Sequence, residues 1–145
     1  MSTRRLQNLM VTGGAGFIGS NFIRHLLKLP DFTGRIINVD ALTYAGNIAN
    51  LADVATDDRY VFEHRDIRDA PAMRELFSTY DIDCVVHFAA ETHVDRSVEA
   101  PADFITTNIV GTFQLLEAAR DHWADRDDVL FHHVSTDEVY GHLGE

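Results

Sequence analysis

The sequence predicts an α/β protein built on a doubly wound sheet of five parallel strands, and three observations lead there. Five short β-prone runs recur along the 145 residues, four of them almost continuously apolar, as strands covered on both faces require. Segments with helical spacing separate the runs, and a glycine-rich turn joins the first run to the first such segment. Strand then helix, repeated four times and closed by a fifth strand, implies right-handed crossovers and one open sheet.

The first strand is expected at Asn8–Thr12, followed by a helix whose Ile18, Phe22, Leu26 and Leu29 fall on one stripe. Arg35–Val39 reads as the second strand. The next connection, Ala41–Arg59, is irregular and is expected to hold one short helix near Asn47–Leu51. Tyr60–Glu63 forms the third strand, Met73, Leu76 and Phe77 mark the next helix, and Cys84–Phe88 forms the fourth strand. A longer helix opens at Pro101, which suits a first turn, and carries Phe104, Ile105, Ile109, Phe113, Leu116 and Ala119 as far as Trp123. The charged Asp125–Asp128 stretch is a loop, and Val129–Val134 is the fifth strand.

With 46% hydrophobic and 24% charged residues the composition is that of one globular domain and excludes collagen-like and disordered classes. A net charge of −11 repels phosphate backbones and anionic lipid, so neither nucleic acid nor a basic membrane anchor is expected as a partner. The single cysteine, Cys84, rules out an internal disulfide and reads as a small buried hydrophobe in a reducing compartment. The basic start, Met1–Arg5, is followed by an apolar stretch cut by glycines, so no signal-peptide core or membrane span is expected and the protein is placed in the cytoplasm.

The chemistry-bearing segment is Thr12-Gly13-Gly14-Ala15-Gly16-Phe17-Ile18-Gly19. Between a strand and a helix, such glycines permit a tight turn and close approach of the backbone to a pyrophosphate at the helix N-terminus. Asp40 ends the second strand about 20 residues past the last glycine, where an acid receives the hydroxyls of an adenosine ribose and repels a 2′-phosphate. NAD is therefore expected over NADP. Asp66 and Ile67 follow the third strand on the same sheet edge, placed to flank adenine. Ala89, Ala90, Glu91 and Thr92 follow the fourth, and the two alanines leave room for a ribose and a nicotinamide ring. The histidines His25, His64, His87, His122, His132, His133 and His142 show no metal-ligand spacing with carboxylates or cysteine, so no metal is expected and they read as structural.

Several of these segments together resemble a known family. The glycine turn, Leu42-Thr43-Tyr44-Ala45-Gly46-Asn47, His87-Phe88-Ala89-Ala90-Glu91-Thr92-His93-Val94-Asp95-Arg96-Ser97, Thr107-Asn108-Ile109-Val110-Gly111-Thr112 and Val134-Ser135-Thr136-Asp137-Glu138-Val139-Tyr140-Gly141 are similar to the dTDP-glucose 4,6-dehydratases, extended short-chain dehydrogenases/reductases. Ala41 stands where the family often has Lys, and Thr92 where it often has Ser. The resemblance implies bound NAD, contacted by Gly13, Gly16, Phe17, Ile18, Gly19, Asp40, Thr43, Asp66, Ile67, Ala89, Ala90, Thr92 and Thr107, and a nucleotide-sugar substrate. The implied reaction oxidises the sugar at C4, eliminates water across C5 and C6, and returns the hydride to C6. Asn108 takes the place of the helix asparagine that supports the active-site tyrosine and lysine, and the long helix that of one joining a homodimer interface. Family members are more than twice as long and carry a Tyr-x-x-x-Lys and a nucleotide-binding domain further on, so residues 1–145 are expected to form an incomplete Rossmann-type NAD-binding domain.

Elimination needs one base for the C5 proton and one acid for the C6 hydroxyl. By resemblance Glu138 is the base, Asp137 the acid, and Thr136 the hydroxyl that bonds the C4 oxygen. Adjacent residues on an extended strand point apart, so Asp137 and Glu138 can serve adjacent carbons only if the backbone turns there. A helix N-terminus would also favour two acids at these positions. A sister epimerase or decarboxylase would need the same loop without the acid/base pair, and an NAD-binding module without turnover is a third possibility.

Overall fold

The computed structural model describes residues 6–141 and 144. His142 and the basic segment 1–5 lie outside them. Five strands form one parallel sheet in the order β3-β2-β1-β4-β5: β1 Asn8–Thr12, β2 Arg35–Asp40, β3 Tyr60–His64, β4 Cys84–His87 and β5 Leu130–His133. Chain order reverses direction at β1, so the connections leading to β2 and β3 cover one face and those leading to β4 and β5 cover the other.

On the first face α1, Phe17–Lys28, packs with a 3₁₀ turn at Ile48–Leu51, and Val11, Ile23, Leu27, Ile36 and Leu51 form the buried layer. Asn47 starts that turn by accepting from the backbone N–H of Ala49. On the second face α2, Ala70–Tyr80, lies beside the long helix, over Met10, Ile37, Val39, Val85 and their neighbours. Asp69 caps α2 by accepting from Ala72 N, and Asp81 ends it in the left-handed region at φ 45°. Met10 and Val11 fall in opposite layers, the alternation a two-faced strand dictates.

The second half departs from the expectation at three places. Val94–Glu99, where the sequence marked no helix, forms a short one, α3. The helix opening at Pro101 is α-helical over Pro101–Phe104 (α4), widens to a π-helix over Ile105–Gly111, and is α-helical again over Thr112–Trp123 (α5). Its buried face in α5 is Leu115, Ala118, Ala119 and Trp123, while Ile105, Ile109, Phe113 and Leu116 of the predicted stripe are exposed. The helix is apolar on two sides, and the sheet takes the one whose Trp123 ring donates its Nε1–H to the Ile82 carbonyl at 2.7 Å. β5 is largely exposed because it has one described neighbour, β4. No helix among the described residues is long and apolar enough to cross a membrane.

Candidate functional site

The carboxyl ends of β2, β1, β4 and β5 border a cleft of about 1010 Å³ at the point where strand order reverses, the usual ligand position in open α/β sheets. Every cofactor-contact residue expected above lines it: Gly13, Gly16, Phe17, Ile18, Gly19, Asp40, Thr43, Asp66, Ile67, Ala89, Ala90, Thr92 and Thr107.

The glycines serve different purposes. Gly13 has φ +69°, and a Cβ there would fall 2.8 Å from Ala89 N and 2.9 Å from its Cα, so the turn and its packing against the β4 exit demand glycine. At Gly16 a Cβ would meet only the Gly13 carbonyl at 3.3 Å and the Ala45 carbonyl at 4.0 Å. A Cβ at Gly16 would therefore press on the Gly13 carbonyl by a few tenths of an ångström, far less than at Gly13, and its other side faces the cleft. No side chain caps α1 at Gly16, so its first-turn N–H groups face the same cleft. An uncapped helix N-terminus beside a glycine is a ready anion site, and a dinucleotide's pyrophosphate fits it.

Asp40 is tied into the loop. Its Oδ2 accepts from Ala15 N at 2.9 Å and its Oδ1 from Leu42 N at 2.8 Å, with the residue 8% exposed. Each oxygen keeps a further lone pair, and Asp40 lines the cleft. Asp66 is gripped by Arg68, whose Nε and Nη2 donate to it at 2.6 to 3.0 Å. Burial pushes the Asp66 carboxyl up, but the Arg68 bonds and charge outweigh it and hold the pKa below its ordinary value. The Ile67 side chain turns into the core beneath Gly111, so this residue meets the cleft without offering its side chain as a free surface.

Across the cleft, the Asn108 side chain grips the backbone of Glu91, accepting from its N at 2.8 Å and donating to its O at 2.9 Å. Asn108 sits in the π-helical stretch, a feature often found at functional sites. Thr107 lies beside it on the cleft wall. The Arg96 guanidinium stacks 4.3 Å over the Tyr44 ring, joining α3 to the loop after β2.

Past β5 the chain turns into a 3₁₀ helix at Asp137–Tyr140, supplying the bend that the paired carboxylates require. Thr136 Oγ1 lies 3.4 Å from Asp137 Oδ1 and 3.3 Å from Glu138 Oε2. Thr136 and Glu138 line the cleft, and Asp137 stands outside its wall. Ser97, Thr112 and Ser135, which stood in the family-like segments without an assigned role, and His133, which read as structural, also line it. His133 and Ser135 could have been found by the rule that located Ala89, since both stand at or just past a strand's carboxyl end. His87, buried between β1 and α5, has its pKa lowered to about 4, mainly by burial and then by the nearby His133. Burial pushes the Cys84 thiol up to about 12, which leaves it unreactive.

A doubly wound sheet with an open glycine turn at its switch point is a Rossmann-type domain. The model of the GDP-mannose 4,6 dehydratase family matches residues 10–145, and the chain belongs to that family. It is 56% identical over 140 residues to dTDP-glucose 4,6-dehydratase 1 of Escherichia coli K12, covering 93% of this chain and 38% of that protein. It is 49% identical over 148 residues to the dTDP-glucose 4,6-dehydratase of Neisseria gonorrhoeae, covering 99% and 42%. The crystal structure of the Streptomyces venezuelae dTDP-glucose 4,6-dehydratase with NAD bound superposes with a TM-score of 0.82 at 48% identity, over 96% of this chain and 42% of that one. A UDP-Glc/GlcNAc 4-epimerase from Campylobacter jejuni gives 0.81 at 30% identity, over 93% and 39%. The chain thus spans about two-fifths of the length of these relatives.

Proposed function

We propose that residues 1–145 form the NAD-binding part of a cytoplasmic, homodimeric dTDP-glucose 4,6-dehydratase. The observation that carries this reading is the carboxylate pair at the β5 exit, with Glu138 on the wall of the cleft that Gly16 faces. A 4-epimerase uses the same fold and loop but needs no base at C5 and no acid at C6. The exposed stripe of Ile105, Ile109, Phe113 and Leu116 supports a subunit contact along the long helix.

The α1 N-terminus receives the pyrophosphate and Asp40 the adenosine ribose. Bound NAD supplies the hydride acceptor for C4 and the donor for C6. Thr136 donates its hydroxyl to the C4 oxygen, which places C5 and C6 toward the 3₁₀ turn. Glu138 takes the C5 proton, made acidic by the new C4 ketone, while Asp137, which stands outside the cleft wall in the unliganded chain, turns in with substrate bound and protonates the C6 hydroxyl as it leaves as water. Glu138 returns its proton to C5 when the hydride reaches C6, and Asp137 is reprotonated from solvent, to which the C4 base gives up the proton it took. The base for the C4 hydroxyl is not among Thr136, Asp137 and Glu138, and in this reading it comes from the Tyr-x-x-x-Lys segment of the full-length enzyme.

The test is stopped-flow absorbance at the NADH band with dTDP-glucose, run on the full-length enzyme beside a product assay. Glu138→Gln and Asp137→Asn should slow product formation by about 10²–10⁴-fold, as loss of a general base or acid does, and leave transient NADH visible. Thr136→Val should instead impair the oxidation. Parental dehydration rates in both carboxylate variants would sink the assignment in favour of an epimerase or a binding module.

A further inference from the structure

We propose that His87 is a positioning residue of the cleft, held as the neutral Nε2–H tautomer, which locks the start of α5 onto the glycine-loop strand. The proposal rests on the reading of the cleft as a dinucleotide site.

His87 ends β4 and is 1% exposed. Its Nδ1 lies 2.6 Å from Thr12 Oγ1 and its Nε2 2.9 Å from Thr112 Oγ1. Thr12 Oγ1 also accepts from Ala89 N at 3.3 Å. A buried hydroxyl must place its own proton, and the acceptor within reach of Thr12 is His87 Nδ1. That leaves Nε2 to carry the ring proton and donate it to Thr112. A doubly protonated ring would set a second N–H against the Thr12 proton, in keeping with the lowered pKa.

Packing alone does not ask for this residue. An apolar side chain of similar volume would fill the space beside Phe131 and His133 but would leave the buried Thr12 hydroxyl proton without its acceptor and the half-buried Thr112 hydroxyl without its donor. The bonds join three cleft-forming pieces: Thr12 precedes Gly13, Ala89 is on the cleft floor, and Thr112 lies one turn beyond Asn108. The long helix is therefore tied to the β4 exit at two levels, through Asn108 to the Glu91 backbone and through Thr112 to His87. Together they fix where Thr107 and Asn108 stand relative to Ala89 and Ala90.

Two measurements on the intact protein test this. Ring ¹⁵N shifts of the unliganded protein between pH 5 and 8 should show His87 with Nε2 protonated and Nδ1 bare. In fluorescence titrations with NADH, His87→Leu should bind about tenfold or more weakly, and His87→Gln, whose amide reaches the Nε2 position, should recover most of the loss. Thr112→Val, which leaves the core untouched, should weaken binding in the same direction and add little on top of His87→Leu. An Nδ1–H ring, parental NADH affinity in a folded His87→Leu or in Thr112→Val, or a Gln variant no better than Leu would overturn the proposal. A parent that binds no NADH overturns the dinucleotide reading instead, a result the ring shifts keep separate from the tautomer.

Discussion

Asp40→Asn separates the two tasks the structure gives this acid. The carboxylate accepts from Ala15 N at 2.9 Å, out of solvent, and from Leu42 N at 2.8 Å in a half-buried bond. Asparagine keeps one acceptor oxygen and turns an NH₂ toward the other N–H, so one charge-assisted bond disappears and a donor faces a donor. Hydrogen bonds to charged groups contribute roughly 1.5–3 kcal/mol, so the variant should be about 2 kcal/mol less stable, a fall in Tm of roughly 6–10 °C for a domain of this size. The second effect is on ligand choice. A 2′-phosphate near the carboxylate meets like charge worth up to ~4 kcal/mol at 4 Å in a surface-like dielectric, so neutralising Asp40 should narrow the NAD-over-NADP preference by about tenfold or more. Thermal unfolding and calorimetric titration with both cofactors read the two effects apart. An unchanged Tm refutes the anchoring of Ala15 and Leu42, and equal affinity for NAD and NADP in the unmodified protein refutes the ribose assignment.

Gly13→Ala and Gly16→Ala should part company in urea unfolding and NADH titration. The first forces a side chain at φ +69° against the Ala89 backbone and should cost about 2 kcal/mol of stability or more, whereas the second should stay within about 1 kcal/mol of the parent yet weaken NADH binding at least tenfold. His87 makes stability pH-dependent: its pKa is 6.5 unfolded and about 4 folded, so its contribution is whole above pH 6.5 and lost as pH falls toward 4. About 3 kcal/mol should disappear across that window, seen as a falling urea midpoint, and His87→Gln should remove this component. The lowered Asp66 and Asp57 carboxyls act in a different range, losing their contribution below about pH 4.

The strands and the glycine turn were legible because each is a local pattern: continuous apolar runs, glycines at fixed spacing, and an acid at the next strand end. What was not legible depends on contacts distant in sequence. Val94–Glu99 has only Val94 and Val98 as apolar markers, too few to signal α3. The π-helical stretch keeps an α-like apolar pattern, and what sets it apart, the Asn108 grip on Glu91 and the Ile67 side chain against Gly111, joins residues 17 and 44 positions apart. The two-sided long helix gave no sign of which face meets the sheet, and Phe113 and Leu116 of the stripe that marked it are exposed. In the site, the residue types and edge were readable, but the engagement of Asp40 with Ala15, the inward turn of Ile67 and the retreat of Asp137 from the cleft wall were not.

Strand order also limits what kind of ligand could join the two ends of the cleft. Asp40 ends β2 and Thr136 follows β5, with β1 and β4 between them, so three strand spacings, roughly 14 Å, separate their elements. No compact molecule meets Asp40 and the Thr136–Glu138 turn together. A ligand satisfying both must be extended and must pass the middle of the edge, where Gly13 presses on Ala89 and Gly16 faces the cleft. An anionic linker suits that midpoint, because the α1 N-terminus is uncapped there. The far end then needs a planar or small group beside Ala89 and Ala90, within reach of a substrate carbon at Thr136. A dinucleotide with its redox ring toward β4 and β5 has this shape, and it brings hydride chemistry next to the Glu138 carboxylate on the cleft wall, with Asp137 adjacent in the chain just outside it.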